Sequence, residues 1–227
     1  MYTPHSRFAE SAAALHARAA AIPAEPVIAR DRPPAWADAA HDPSLANFEW
    51  VPAVNIGAMP GGVSFIGDSV SLGAERFLRE TIPNSLVDCE VSRTMRAGRA
   101  LLREWQEDGS LREVVVIALG ANGFGDWQEQ IDAMLEELPP GRRVVFVTPF
   151  IGKPEPGIFE KEIAAYYREM ARALPYVTVA DWAGAIESHQ DLLASDKTHL
   201  NGNRAAQLFA DVVLMGIDEA GRKAGKG

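Results

Sequence analysis

The chain has 227 residues, 47% of them hydrophobic, and a formal net charge of -9. At roughly 150 residues per domain it holds one domain with chain to spare. The excess of acid argues against a nucleic-acid backbone or an anionic membrane surface as the main partner, because both reward basic surfaces.

A single cysteine, Cys89, excludes an intrachain disulfide, and inside the apolar run "LVDCEV" it reads as a core residue. The longest apolar run, "VVVIALGA", is about eight residues long against the roughly 20 of a membrane span. His16 and Arg18 break the Ala-rich N-terminus, which has no signal-peptide pattern.

Residues 1–60 differ from the rest. An Ala-rich stretch from Ser6 to Ile22 suits a helix, and "PAEPVIARDRPPAWADAAHDP" carries too many prolines for a long helix or a central strand. This part is expected to be a helix plus a Pro-rich arm or spacer. His5, His16 and His41 fall in it and are expected to be solvated. The domain proper is expected over 61–218, followed by a flexible tail over 219–227.

From Val63 on, short runs rich in Val and Ile recur: "VSFI" at 63, "LVDCEV" at 86, "VVVIAL" at 114, "RVVFVT" at 143 and "VTVA" at 177. After the first run, Val70, Ala74, Phe77 and Leu78 are spaced for a helix. So are Leu101, Leu102 and Trp105, then Trp127, Ile131, Met134, Leu135 and Leu138. Ile163, Tyr167, Met170 and Leu174 follow, and last come Ala205, Leu208, Phe209, Val212 and Val213. Strands alternating with helices predict βαβ crossovers and a parallel sheet. Continuously apolar strands such as "VVVIAL" predict helices on both faces. The expected architecture is an α/β fold, a three-layer α/β/α sandwich with five parallel strands.

Ligands in such sheets bind outside the carboxyl ends of the strands. Gly67-Asp68-Ser69 follows the first strand, with Gly67 turning the chain and Asp68 shaping the turn. "GANG", with Asn122, follows the third strand. Pro149 and Phe150 follow the fourth. Asp181 and Trp182 follow the fifth, ahead of "SDKTHLNGNRAA" with Asp196 and His199. Each piece alone fits turn and capping chemistry.

Together they supply a serine nucleophile, a histidine base, and an aspartate three residues earlier to orient that base. The amide of Ser69 and the side chain of Asn122 supply donors for an oxyanion. Phe150, Trp182 and His189 are candidates for flanking an acyl or sugar pocket. Zinc held by His189, Asp191, Asp196 and His199 is the weaker alternative, since the spacing matches no recognised metal pattern.

"IGDSVSLGA", "LGANG" and "DKTHLNGNRAA" resemble blocks I, III and V of the SGNH (GDSL-type) hydrolases, in order, over about residues 63 to 215. Within that superfamily the chain resembles the extracytoplasmic C-terminal domain of bacterial peptidoglycan O-acetyltransferases. Those domains typically read "IGDSV", "LGTNG", an Asp-Trp after the fifth strand, and an "H-x-D" shortly before "DGVHL". The counterparts here are Gly67 to Val70, Leu119 to Gly123, Asp181-Trp182, His189 to Asp191, and Asp196 to Leu200.

The resemblance implies a flavodoxin-like sheet with Ser69 as nucleophile, His199 as base, Asp196 as orienter and Asn122 as oxyanion donor. It calls for no cofactor. A glycine in block II donates a further amide in the superfamily. "EVSRTM" aligns with "VGRQ" and puts Ser92 there, a strained residue if the position demands positive φ. The implied reaction is acetyl transfer through an acyl-enzyme to a muramoyl hydroxyl of peptidoglycan. The implied partners are an acetyl donor, a glycan acceptor and a membrane acyltransferase domain outside this chain. The implied location is extracytoplasmic. An esterase with the same triad and a non-catalytic glycan-binding module are the alternatives.

Overall fold

The structure is a computed structural model and describes residues 61–82 and 84–224. The expected N-terminal helix and arm lie outside the described residues. Five strands form one sheet: β1 (Val63–Gly67), β2 (Ser85–Cys89), β3 (Val114–Ala118), β4 (Arg143–Val147) and β5 (Val177–Ala180). Their order is β2-β1-β3-β4-β5 and every pairing is parallel. Chain direction across the sheet therefore reverses at the β1–β3 boundary, where a crevice opens at the carboxyl edge.

The two-residue period of the strands sorts the core into two layers. Val63 and Phe65 of β1, Val114 and Val116 of β3, and Val145 and Val147 of β4 pack on one face. That face is covered by α1 (Ser69–Leu72), α2 (Glu75–Thr81), α6 (Trp182–Glu187) and the long α7 (Asn203–Ala224). Ile66, Val115, Ile117, Val144 and Phe146 pack on the other. There they meet α3 (Met95–Glu107), α4 (Trp127–Glu137) and α5 (Glu160–Ala173). Both faces are covered, which is why β1, β3 and β4 are buried along their whole length. Cys89 is half-buried and packs on the first layer, and burial pushes its thiol up to about 12.

Two local expectations are corrected. The helix after Gly67 is two short ones, α1 and α2, broken at Gly73-Ala74. The chain after residue 218 is no flexible tail as far as Ala224, because α7 runs through it. Ala220 is buried on the core and Lys223 Nζ donates to the carbonyls of Ala171 and Val177. Residues 225–227 lie outside the described residues. Among the described residues no helix is long and apolar enough to cross a membrane.

Candidate active site

Ser69 opens α1 directly after β1. Asp68 is the N-cap, and its Oδ1 accepts from the Val70 amide at 3.0 Å. Gly67 is present for space and not for an unusual φ. A Cβ there would lie 2.0 Å from Ser71 Oγ, which itself donates to the Asp68 carbonyl. The turn is thus packed too closely for any side chain at 67.

His199 arrives from the other end of the chain. Residues 193 and 200 pair in an antiparallel bridge, and the loop between them is closed by the Ala194 amide on the His199 carbonyl at 2.8 Å. Asp196 Oδ1 accepts from the amides of Thr198 and His199 at 2.8 and 3.0 Å. Its Oδ2 meets His199 Nδ1 at 2.9 Å. The opposite ring nitrogen, Nε2, lies 2.9 Å from Ser69 Oγ. The His199 hydrogen bond and the two amides pull the Asp196 carboxyl down to about 2. It is therefore ionised at neutral pH and can hold the Nδ1 proton. The His199 and Asp196 side chains are each about half exposed, at 46% and 51%, so the pair faces solvent.

Asp68 lies beneath this chain of contacts. It is buried, and burial pushes its carboxyl up to about 6 against the pull of the Val70 and Ala121 amides and of His199. Asp68 thereby ties the Ser69 turn to the loop after β3 that carries Asn122.

Asn122 is half-buried, and its Nδ2 donates to the Arg93 carbonyl at 3.4 Å. Ser92, on the loop after β2, has φ 60. The position does demand the left-handed region, so a serine stands where glycine would be free of strain. Lys197, which replaces the glycine of the "DGVHL" pattern, has φ 59 for the same reason.

Of the candidate flanking residues, Phe150 and Trp182 line a cavity at the carboxyl ends of β1, β3 and β4, together with Asp68, Ala121 and Thr148. Trp182 is also core: it is 1% exposed and its ring meets Phe209 edge-on at 5.0 Å. His189 is not in that lining. It precedes the 3-10 turn Gln190–Leu192, with Nδ1 3.2 Å from the Ala185 carbonyl. Among the described residues no group of three or more His, Cys, Asp or Glu side chains is gathered to hold a metal ion. Asp181 is structural: it caps α6 and accepts from Thr148 Oγ1 and Arg168 Nη2.

Arg93 is the residue that motif reading passed over. Its side chain is 5% exposed, yet it lies among carbonyls and carboxylates at the carboxyl ends of β1 and β2. An arginine directly after the block II position, in a strand-to-helix loop, was the available signal.

No protein-family model matches the chain. It is 28% identical over 135 residues to peptidoglycan O-acetyltransferase OatA of Listeria monocytogenes, covering 60% of this chain and 21% of that protein. The chain thus spans about a fifth of the length of the curated relatives it matches. The C-terminal catalytic domain of OatA from Streptococcus pneumoniae, solved with a methylsulfonyl adduct, superposes with a TM-score of 0.66 at 29% identity. That match covers 71% of this chain and 95% of the pneumococcal one. A lipase/acylhydrolase of Enterococcus faecalis shares the fold, with TM-score 0.54 at 19% identity over 69% of this chain and 95% of that one. In sheet order and superposition the chain has the fold of the SGNH (GDSL-type) hydrolases, and it is similar to the catalytic domain of a peptidoglycan O-acetyltransferase.

Proposed function

We propose that the chain is a serine-dependent acetyltransferase acting on a sugar hydroxyl of peptidoglycan, with Ser69, His199 and Asp196 as its triad. The observation that carries the reading is the single imidazole bonded to Ser69 Oγ through one nitrogen and to an ionised carboxylate through the other. The acetyl and peptidoglycan parts rest on the names of the relatives.

In the first step Ser69 Oγ gives its proton to His199 Nε2 and attacks the carbonyl carbon of a bound acetyl ester. Negative charge develops on the carbonyl oxygen, and the donors offered to it are the amides of Ser69 and Ser92 and the Nδ2 of Asn122. Collapse breaks the bond to the donor oxygen, which leaves with the proton from His199. In the second step a sugar hydroxyl passes its proton to His199 and attacks the acetyl-serine. Collapse then returns the proton to Ser69. Asp196 keeps the proton on Nδ1 throughout, so that Nε2 can act as base. The reading sets the domain outside the cytoplasm, where peptidoglycan lies, and gives it a membrane acyltransferase as donor-side partner.

Release of p-nitrophenol from p-nitrophenyl acetate, with and without a soluble peptidoglycan oligosaccharide, tests this. Release with acetylated sugar supports the transferase. Free acetate alone in the presence of acceptor overturns the transfer step and leaves an esterase. One observation favours that second reading: the half-exposed His199 and Asp196 face solvent, so water can reach an acetyl-serine from that side.

A further inference from the structure

Three loops must keep register for an oxyanion hole assembled from Ser69, Ser92 and Asn122. One residue with a buried side chain touches the supports of all three. Arg93 Nη1 donates to the carbonyl of Gly67, two residues before the serine, at 2.9 Å. It also donates to the Asp88 carbonyl at the end of β2, at 2.7 Å. Nη2 is paired with the carboxylates of Asp88 and Glu90. The main chain of the same residue follows Ser92 directly, and its carbonyl accepts from Asn122 Nδ2.

We propose that Arg93 is the positioning residue of the oxyanion hole. Its guanidinium fastens the Ser92 loop to the serine-bearing strand. Its carbonyl takes one of the two Asn122 amide protons, so that the other is aimed at the developing charge. The inference rests on the reading of Ser92 and Asn122 as oxyanion donors.

The chemistry requires arginine in particular. A planar fork with five N–H donors can meet two strand-end carbonyls and two carboxylates at once, whereas an ammonium is a point charge on a flexible stem. Buried arginine without such partners would be strongly destabilising, and here both terminal nitrogens are used by strand ends or acids. Ser92 holds a strained φ of 60 immediately beside it, so the loop would relax without an anchor. Arg93 itself does not touch the reacting atoms. It acts through Asn122 and the Ser92 amide.

The test is a double-mutant cycle on the full chain, with kcat and KM for p-nitrophenyl acetate measured for wild type, Arg93→Lys, Asn122→Ala and the double variant. Thermal melts run alongside. Arg93→Lys is expected to lower kcat ~10-fold or more with KM within ~2-fold, because the hole serves the transition state and not substrate binding. In the Asn122→Ala background the same change is expected to cost at least ~3-fold less than in wild type, since one of the two donors it positions is gone and only the Ser92 amide remains.

Equal losses in both backgrounds, or full kcat in Arg93→Lys, overturn the inference while leaving the hole in place. A neutral Asn122→Ala overturns the hole and the inference together. Should Arg93→Lys fail to fold, Asp88→Asn carries the same cycle, because it removes a half-exposed carboxylate partner without emptying the core. A loss of kcat that is smaller in the Asn122→Ala background supports the inference, and an equal loss in both backgrounds, or none, overturns it.

Discussion

His199 Nε2 and Ser69 Oγ lie 2.9 Å apart although 130 positions separate them in sequence. Two unrelated local devices bring them there, a capped helix start after β1 and a bridged loop between Leu193 and Leu200. Neither device needs the other to form. Their meeting at the β1–β3 boundary is a property of the sheet order.

Removing the hydroxyl leaves the turn intact, because the capping contact is made by Asp68 and not by Ser69. Ser69→Ala is expected to lower turnover ~10³-fold or more while melting within a few degrees of wild type. Turnover within tenfold of wild type, measured on p-nitrophenyl acetate, would remove Ser69 from the chemistry.

Asp196→Asn separates orientation from folding. An amide oxygen can still accept from the Thr198 and His199 backbone, so the loop is expected to keep its shape. The charge facing Nδ1 is lost, and kcat is expected to fall roughly 10- to 10³-fold, short of the serine loss because the pair is solvated. In wild type the carboxyl, held at about 2, stays ionised well below neutral pH. Asp196 is therefore not the group whose protonation would set a fall of activity on mild acidification. Full activity in Asp196→Asn between pH 6 and 9 would refute the role.

Ser92 stands in the left-handed region at φ 60. A non-glycine residue there costs about 1–2 kcal/mol, offset in part by the greater freedom of glycine in the unfolded chain, about 0.5–1 kcal/mol. Ser92→Gly is therefore expected to raise the melting temperature by roughly 1–3 °C. Turnover should stay within ~2-fold, because a backbone amide survives the change. Calorimetry showing a drop of several degrees would mean that the serine side chain holds the loop.

Asp211 on α7 is half-buried, with Oδ1 cut off from solvent and unpaired, and burial pushes its carboxyl up to about 7. The folded state thus favours the neutral acid. Stability from this group is fully present below the unfolded value of 3.8 and is lost as pH rises through about 7. Asp211→Asn is expected to stabilise by under about 1 kcal/mol at pH 5, where only part of the loss has occurred, and by about 1–2 kcal/mol at pH 8, partial exposure limiting the gain. Urea midpoints at the two pH values check this; an equal effect at both would contradict it.

The sheet was legible because each strand is a short β-branched run and each helix repeats every three to four residues. The meeting of Ser69, His199 and Asp196 could be anticipated because the topology brings strand carboxyl ends to one edge. The two departures from glycine, Ser92 and Lys197, were visible as departures, but sequence alone does not print φ. The break between α1 and α2 was missed because Val70, Ala74, Phe77 and Leu78 keep helical spacing across Gly73. The helix beyond residue 218 was missed because Gly221 and Lys223 look like a solvated end, while Ala220 is buried and Lys223 Nζ bonds back to the carbonyls of Ala171 and Val177. Arg93 escaped because its partners are mostly main-chain carbonyls, which leave no pattern in side-chain identity.

The central claim is that Ser69 carries the acetyl group. Intact and peptide-level mass spectrometry after brief reaction with p-nitrophenyl acetate at mildly acidic pH tests it directly. The account predicts one acetyl group on the peptide containing Ser69 in wild type and none there in Ser69→Ala. An unmodified Ser69 peptide during active turnover, or an acetyl group on another residue that persists with activity in Ser69→Ala, would contradict it.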